Sequence, residues 1–305
     1  MFSCHFFLVY LHEFSPKGVF SALTNEKSIQ QQQMKASKIL FITQEIIPFT
    51  ESSEMADNTR SLLQGAIERG HEVRTFMPKW GSINERRNQL HEVIRLTGMN
   101  IVVDDTDHPL IIKVASMPSL RTQIFFILNE DYFRNHLNTR DENGTEYPDN
   151  DERTIFFARS VLETVKKQSW YPDVVHCHGW IGALTGLYIK TLYKEEPAFK
   201  NTKFVYSLYN DAFEASFPEN FLEKVIFRNM EDVDLSATNT PVNYQELTKL
   251  AIQWCDGVIQ DCENADPTLL KYAQSLGKPI LPFKTGSEYA DACSEFYNQL
   301  CVEVE

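Results

Sequence analysis

Glycine is scarce, 12 in 305 residues, and no G-x-G-x-x-G run follows any strand-like segment. Without that glycine turn nothing cradles a pyrophosphate in the dinucleotide manner, which argues against a dehydrogenase. The G-x-S-x-G nucleophile elbow is missing too, which argues against an α/β-hydrolase. Positive charge is in deficit: 29 Lys and Arg face 42 Asp and Glu, a net charge of −13. Such a surface repels phosphate backbones and acidic lipids, so neither nucleic acid nor a membrane is an expected partner, and a neutral ligand fits better. No run reaches the length of about 18 apolar residues that a membrane span needs.

Cysteine is sparse and unpatterned. Cys4, Cys177, Cys255, Cys262, Cys293 and Cys301 form no C-x-x-C pair, which suits reduced thiols and a cytoplasmic location. A metal is not expected. His176, Cys177 and His178 are adjacent, but alternation along a strand sends Cys177 to the face opposite the two histidines, and further ligands at suitable spacing are missing. No cofactor is implied.

What is present is a 43% hydrophobic chain long enough to bury a sizeable core. Residues 1–33 end in a glutamine run, and Met34 is followed by Lys-Ala-Ser and then KILFIT. Residues 1–37 are therefore expected to be a disordered extension or one that is not translated, with synthesis starting at Met34, and residues 38–305 to form the domain. From Lys38 onward, short β-branched runs alternate with segments of helical period, the pattern of an α/β fold with a parallel sheet and crossover helices. Strands are predicted at 38–44, 72–78, 173–178, 203–209, 256–260 and 278–282. Helices are predicted at 56–69, 151–168, 181–193, 245–254, 267–275 and 288–300. Between residues 91 and 127 three or four antiparallel strands read as an insertion, with Asp104, Asp105, Asp107 and His108 at a plain hairpin turn. Residues 213–240 read as irregular, and Asn143-Gly144 marks a turn in the polar segment 141–152. The apolar spacing of Tyr289, Cys293, Phe296, Tyr297 and Leu300 predicts a final helix packed against the sheet.

In a doubly wound sheet, ligands bind beyond the carboxyl ends of the strands. Three loops qualify: QEIIPFTESSEMAD (44–57), HCHGWIGAL (176–184) and LYNDAF (208–213). Here the chain resembles the glycogen and starch synthases, retaining glucosyltransferases that extend an α-1,4-glucan from ADP- or UDP-glucose. The first loop is similar to the family's S-E-x-x-P-x-x-K-x-G-G-L-A-D, and IERGHEVRTFMP to its A-x-x-G-H-E-V-x-x-x-x-P. The second resembles H-x-H-D-W-x-x-A-L. The resemblance implies a single Rossmann-like, doubly wound, mainly parallel sheet with an antiparallel β insertion, equivalent to the N-terminal, acceptor-side half of a GT-B fold. It implies α-glucan or malto-oligosaccharide as ligand, with Glu45, Asp57, His178, Trp180, Asn210 and Lys249 as substrate-binding positions and His178 as the catalytic candidate.

The departures fall at Glu51, Ser53, Glu54, Gly179, Tyr209 and Glu246. Glu51 stands where the family has the lysine that meets the donor's phosphates, and Ser53 and Glu54 stand where it has paired glycines. Carboxylates there reverse the local potential and put nucleotide-sugar binding in doubt. Gly179 replaces an aspartate, Tyr209 a histidine and Glu246 an asparagine, for which Asn243 can substitute if the loop shifts. Too few residues follow the strand at 278–282 to build a second nucleotide-binding domain, which takes about 100. The expectation is a synthase-like half that is inactive alone and needs a partner protein supplying a donor domain. The alternative is a non-catalytic glucan-binding or regulatory module.

Overall fold

The computed structural model describes residues 38–302 apart from 135, 229, 231 and 237. The expectations for residues 1–37 lie outside the described residues.

Ten strands form the sheet: β1 (Lys38–Thr43), β2 (Glu72–Pro78), β3 (His91–Glu92), β4 (Met99–Val103), β5 (Thr106–Met117), β6 (Thr122–Leu128), β7 (Val174–His178), β8 (Lys203–Leu208), β9 (Gly257–Gln260) and β10 (Ile280–Leu281). Their order is β10-β9-β8-β7-β1-β2-β6-β5-β3, with β4 paired to β5. The strands from β10 to β6 are parallel, and β5 runs antiparallel to β6, β4 and β3. The strand predicted as the end of an antiparallel insertion is thus shared. β6 pairs antiparallel with β5 on one side and parallel with β2 on the other, so it belongs to the main sheet.

The helices are α1 (Glu54–Glu68), α2 (Asn150–Lys167), α3 (Thr185–Lys190), α4 (Phe221–Val225), α5 (Tyr244–Gln253), α6 (Pro267–Ser275) and α7 (Ser287–Cys301). Chain direction decides their sides. From β1 the chain moves one way to β2, and from β7 it moves the other way to β10, so right-handed crossovers put α1 on one face and α3, α5 and α6 on the opposite face. α3 is shorter than predicted because a 3-10 turn (Trp180–Gly182) takes the first part of that segment, and α4 interrupts the region read as irregular.

α7 lies beside α1. A β-carbon on Gly65 of α1 would meet the Ala290 side chain, and one on Gly257 of β9 would meet the Phe296 ring. Tyr289, Cys293, Phe296 and Tyr297 are all buried, so the apolar stripe read from the sequence does pack on the sheet. At its edge, Arg69 bonds Asp291. The acidic run is a hairpin turn, as expected: Val103 pairs with Thr106, leaving Asp104 and Asp105 as a two-residue turn at φ 46° and 61°. His108 is buried against Tyr132, whose hydroxyl lies 3.0 Å from its Nε2. Among the described residues no helix is long and apolar enough to cross a membrane.

Candidate functional site

The loops leaving β1, β7, β8 and β9 share one edge of the sheet. His176 and His178, two apart on β7, both face α7, and Cys177 points the other way, its sulfur beside Gly182. Both histidines are fully buried. The proton positions follow by elimination. Ser207 and Tyr209 donate their hydroxyls to Oδ2 of Asp261, which sits just past β9. His176 must then donate from Nε2 to Ser207 Oγ at 2.6 Å, and His178 from Nδ1 to the Tyr209 oxygen at 2.9 Å. Tyr297 of α7 completes the set by donating to Nδ1 of His176 at 2.7 Å.

Burial dictates the charges. Desolvation holds His176 well below the ordinary imidazole range, with the neighbouring His178 adding to the effect, and lowers His178 to about 3. The same burial pushes Asp261 up to about 6, against the hydrogen bonds from Ser207 and Tyr209. Ligand atoms of His176, His178 and Asp261 all lie within 4.8 Å of one another, so the fold supplies the third metal-capable group that sequence spacing did not reveal. Their facing atoms already share the hydroxyls of Ser207 and Tyr209, and the group is hydrogen-bonded without an ion. Of the imidazole nitrogens in the pair, Nε2 of His178 has no partner among the described residues.

Trp180 opens the 3-10 turn and is buried, its ring 4.8 Å from Phe213 and 6.1 Å from Phe217, which stack on each other. The aromatic face expected to meet a sugar is covered by these two rings. The Trp180 N–H donates to Asp211, which also accepts from Tyr244 Oη at 2.7 Å. The Asp211 carboxyl is enclosed although the residue keeps some exposed surface, and burial pushes it up to about 6.

The rim is more open. A cleft of about 290 Å³ is lined by Tyr209, Asn210, Phe213, Asn243, Tyr244 and Asp266, among others. Asn210 and Asn243 therefore share a cavity. Asn243 is also the N-cap of α5, its side chain accepting from the Glu246 N–H at 3.0 Å. Lys249 is turned to an ion pair with Glu246 at 2.7 Å and does not line the cleft.

At the start of α1, Ser53 accepts the Ala56 N–H as N-cap and donates its hydroxyl to Glu45. Asp57 accepts from Ser52 at 2.7 Å, and Glu54 occupies the first helical position. Desolvation and the charge of Glu263 raise the Glu54 carboxyl. Glu54 and Asp57 thus lie in the first turn at the positive end of the helix, Glu45 bonds its N-cap, Glu51 precedes the cap by two residues, and none is ion-paired among the described residues.

Residues 38–260 match the sequence profile of the starch synthase catalytic domain. The chain belongs to the starch synthase family. It is 34% identical to a glycogen synthase of Chlorobium luteolum over 73% of this chain and 47% of that protein. A glycogen synthase of Pelodictyon phaeoclathratiforme is 33% identical over 71% of this chain and 48% of its own length. The chain spans about half the length of the curated relatives it matches. Among solved structures, the catalytic domain of starch synthase IV from Arabidopsis thaliana, bound to ADP and acarbose, superposes with a TM-score of 0.65 at 18% identity, over 83% of this chain and 52% of that one. The fold of residues 38–302 is thus a Rossmann-like half of that GT-B architecture.

Within this starch synthase family member, the departures are tied into the fold. Ser53 caps α1, Tyr209 holds His178, and Glu246 binds Lys249 and the Asn239 N–H. Gly179 sits at φ +91°, where a β-carbon would come within 2.8 Å of the Gln44 Cβ, so an aspartate there is opposed twice over. Sequence reading missed Asp211 and Asp261. Asp211 lies in the loop 208–213 already singled out but was not chosen within it, and Asp261 follows β9 at its carboxyl end, the position that could have flagged it.

Proposed function

We propose that this chain is the acceptor-side unit of a glycogen or starch synthase-type glucosyltransferase, holding an α-glucan or malto-oligosaccharide at the carboxyl edge of its sheet. In this reading it does not bind the nucleotide sugar unaided. The observation that carries it is the set of carboxylates at the amino end of α1, Glu54 and Asp57 in its first turn and Glu45 on its N-cap, with Glu51 two residues before the cap. A diphosphate approaching that helix meets negative charge and an N–H already taken by Ser53, where a preorganised cation would otherwise stabilise the leaving group by several kcal/mol. A neutral glucan carries no such penalty.

Glu45, Asp57 and Asn210 are assigned to the glucan-facing rim, and Lys249, held by Glu246, to its support behind the cleft. His178 and Trp180 act from beneath it, and His178, with its free Nε2, is the catalytic candidate once a donor-binding domain from a partner protein completes the site. The free cysteines, four of the five described being buried, suit a cytoplasmic setting. Calorimetry with maltoheptaose and with ADP-glucose tests the assignment. Binding of the first without the second is expected. Tight ADP-glucose binding, or elongation of maltodextrin by the chain alone, would overturn it. A regulatory glucan-binding module is the second reading, favoured by the burial of Trp180 and both histidines. It predicts that no donor domain added in trans restores glucosyl transfer.

A further inference from the structure

A second cleft, of about 710 Å³, lies between the loop after β1, the flank of α1 and the hairpin region, and none of His176, His178 or Asp261 lines it. Its charged lining has one sign. Arg60 comes from α1, Arg87 and His91 from the segment leading into β3, and no carboxylate lines it. That is unusual on a chain of net charge −13, where a cation normally finds an acidic neighbour. The Arg60 guanidinium instead donates to Ser119 Oγ at 3.2 Å and to the Met117 sulfur at 3.6 Å. Neither arginine nor His91 forms an ion pair among the described residues, and the Arg87 guanidinium makes no hydrogen bond there. Gln89, between the basic residues, is held at φ +52°, a backbone state uncommon outside glycine.

We propose that this cleft binds a small organic phosphate monoester. Two guanidinium forks match the charge and the oxygen geometry of a phosphate dianion, and the His91 imidazole offers a further hydrogen bond. The cleft is far larger than inorganic phosphate needs and falls in the range of small-molecule sites. Pro48, Phe49 and Pro118 give an apolar wall for a ring, and the side chains of Ser116 and Gln89 offer bonds to its hydroxyls. The cleft shares no lining residue with the one that holds Asn210 and Asn243, and it stands whether or not the glucan assignment holds.

Calorimetry of the full chain with glucose 6-phosphate and with AMP, against glucose, adenosine and inorganic sulfate, tests the proposal. At least one ester should bind, its parent alcohol should not, and which ester it is distinguishes a sugar from a nucleoside carrier. Arg87→Glu should weaken that ester at least tenfold while leaving thermal unfolding and maltoheptaose binding unchanged. Should Arg87→Glu fail to fold, Arg87→Gln combined with His91→Gln must weaken the same ester. The proposal is overturned if neither ester binds, if sulfate binds as tightly as the esters, or if the substitutions leave the affinity intact.

Discussion

Replacing Asp261 by asparagine should change how stability depends on pH, not merely its level. Asp261 is buried, and its folded pKa of about 6 stands above the ordinary 3.8. Its contribution to stability is therefore fully present below pH 3.8 and lost as pH rises through 6. His178 behaves oppositely. Its folded pKa of about 3 lies below the ordinary 6.5, so its contribution is present above 6.5 and is lost as pH falls toward 3. Each mismatch has a slope of about 1.4 kcal/mol per pH unit. Between pH 3.8 and 6 the two slopes have opposite sign and cancel. Asparagine keeps the size and a carbonyl acceptor for Ser207 and Tyr209 but cannot titrate, so it leaves the His178 slope uncompensated. Relative to the parent, Asp261→Asn should lose about 3 kcal/mol more unfolding free energy between pH 6 and pH 4. Terms from His176 and Asp211 are common to both proteins and drop out of the difference. Urea unfolding at half-unit steps from pH 4 to 7 measures it directly. Parallel profiles for the two proteins would refute a raised Asp261 carboxyl.

Gly179→Ala should destabilise by about 1–3 kcal/mol from its φ of +91° alone, with crowding against Gln44 added, visible as a lower urea midpoint at unchanged slope. Lys224 bonds Asp151 at 3.0 Å and Glu152 at 2.7 Å. Lys224→Met leaves the buried Asp151 unpaired and should cost about 3–5 kcal/mol, whereas the double change with Asp151→Asn should recover part of it. Phe296→Ala should cost about 3–5 kcal/mol by opening a void over Gly257, read by thermal unfolding. Glu51→Lys with Glu54→Gly should raise ADP-glucose affinity by about tenfold or more at low salt, an effect fading as salt is added. No gain would count against the electrostatic account of the α1 amino end.

Most strands and helices were legible because their causes are local. The periodicity that predicted 56–69 and 151–168 is the periodicity that buries Leu62 and Leu63 in α1 and Phe156 and Val161 in α2. The antiparallel pairing of β6 with β5 was legible, but its parallel pairing with β2, some 50 residues earlier, lay beyond any local signal. α3 came out short because the 3-10 turn ending at Gly182 packs tightly on the sheet, where a β-carbon on Gly182 would meet the Cys177 sulfur at 2.6 Å. In the candidate site the motif residues could be named, but not their exposure. Trp180 and His178 read as ligand-facing, whereas Phe213 and Phe217 cover the first and Tyr209 bonds the second. The Asp261 contact with Ser207 joins positions 54 residues apart, which spacing alone cannot supply.

The position of α7 has a consequence for how the molecule is made. It covers strands that are all synthesised before it, and its ties to α1 and the loop after it, Arg69 to Asp291 and His71 to Ser294, span 222 and 223 residues. Contacts of such high order close late, so on the ribosome the part of the sheet face over β7 and β9 stays bare until the last described helix emerges. Chaperone engagement during translation should therefore be concentrated in that interval.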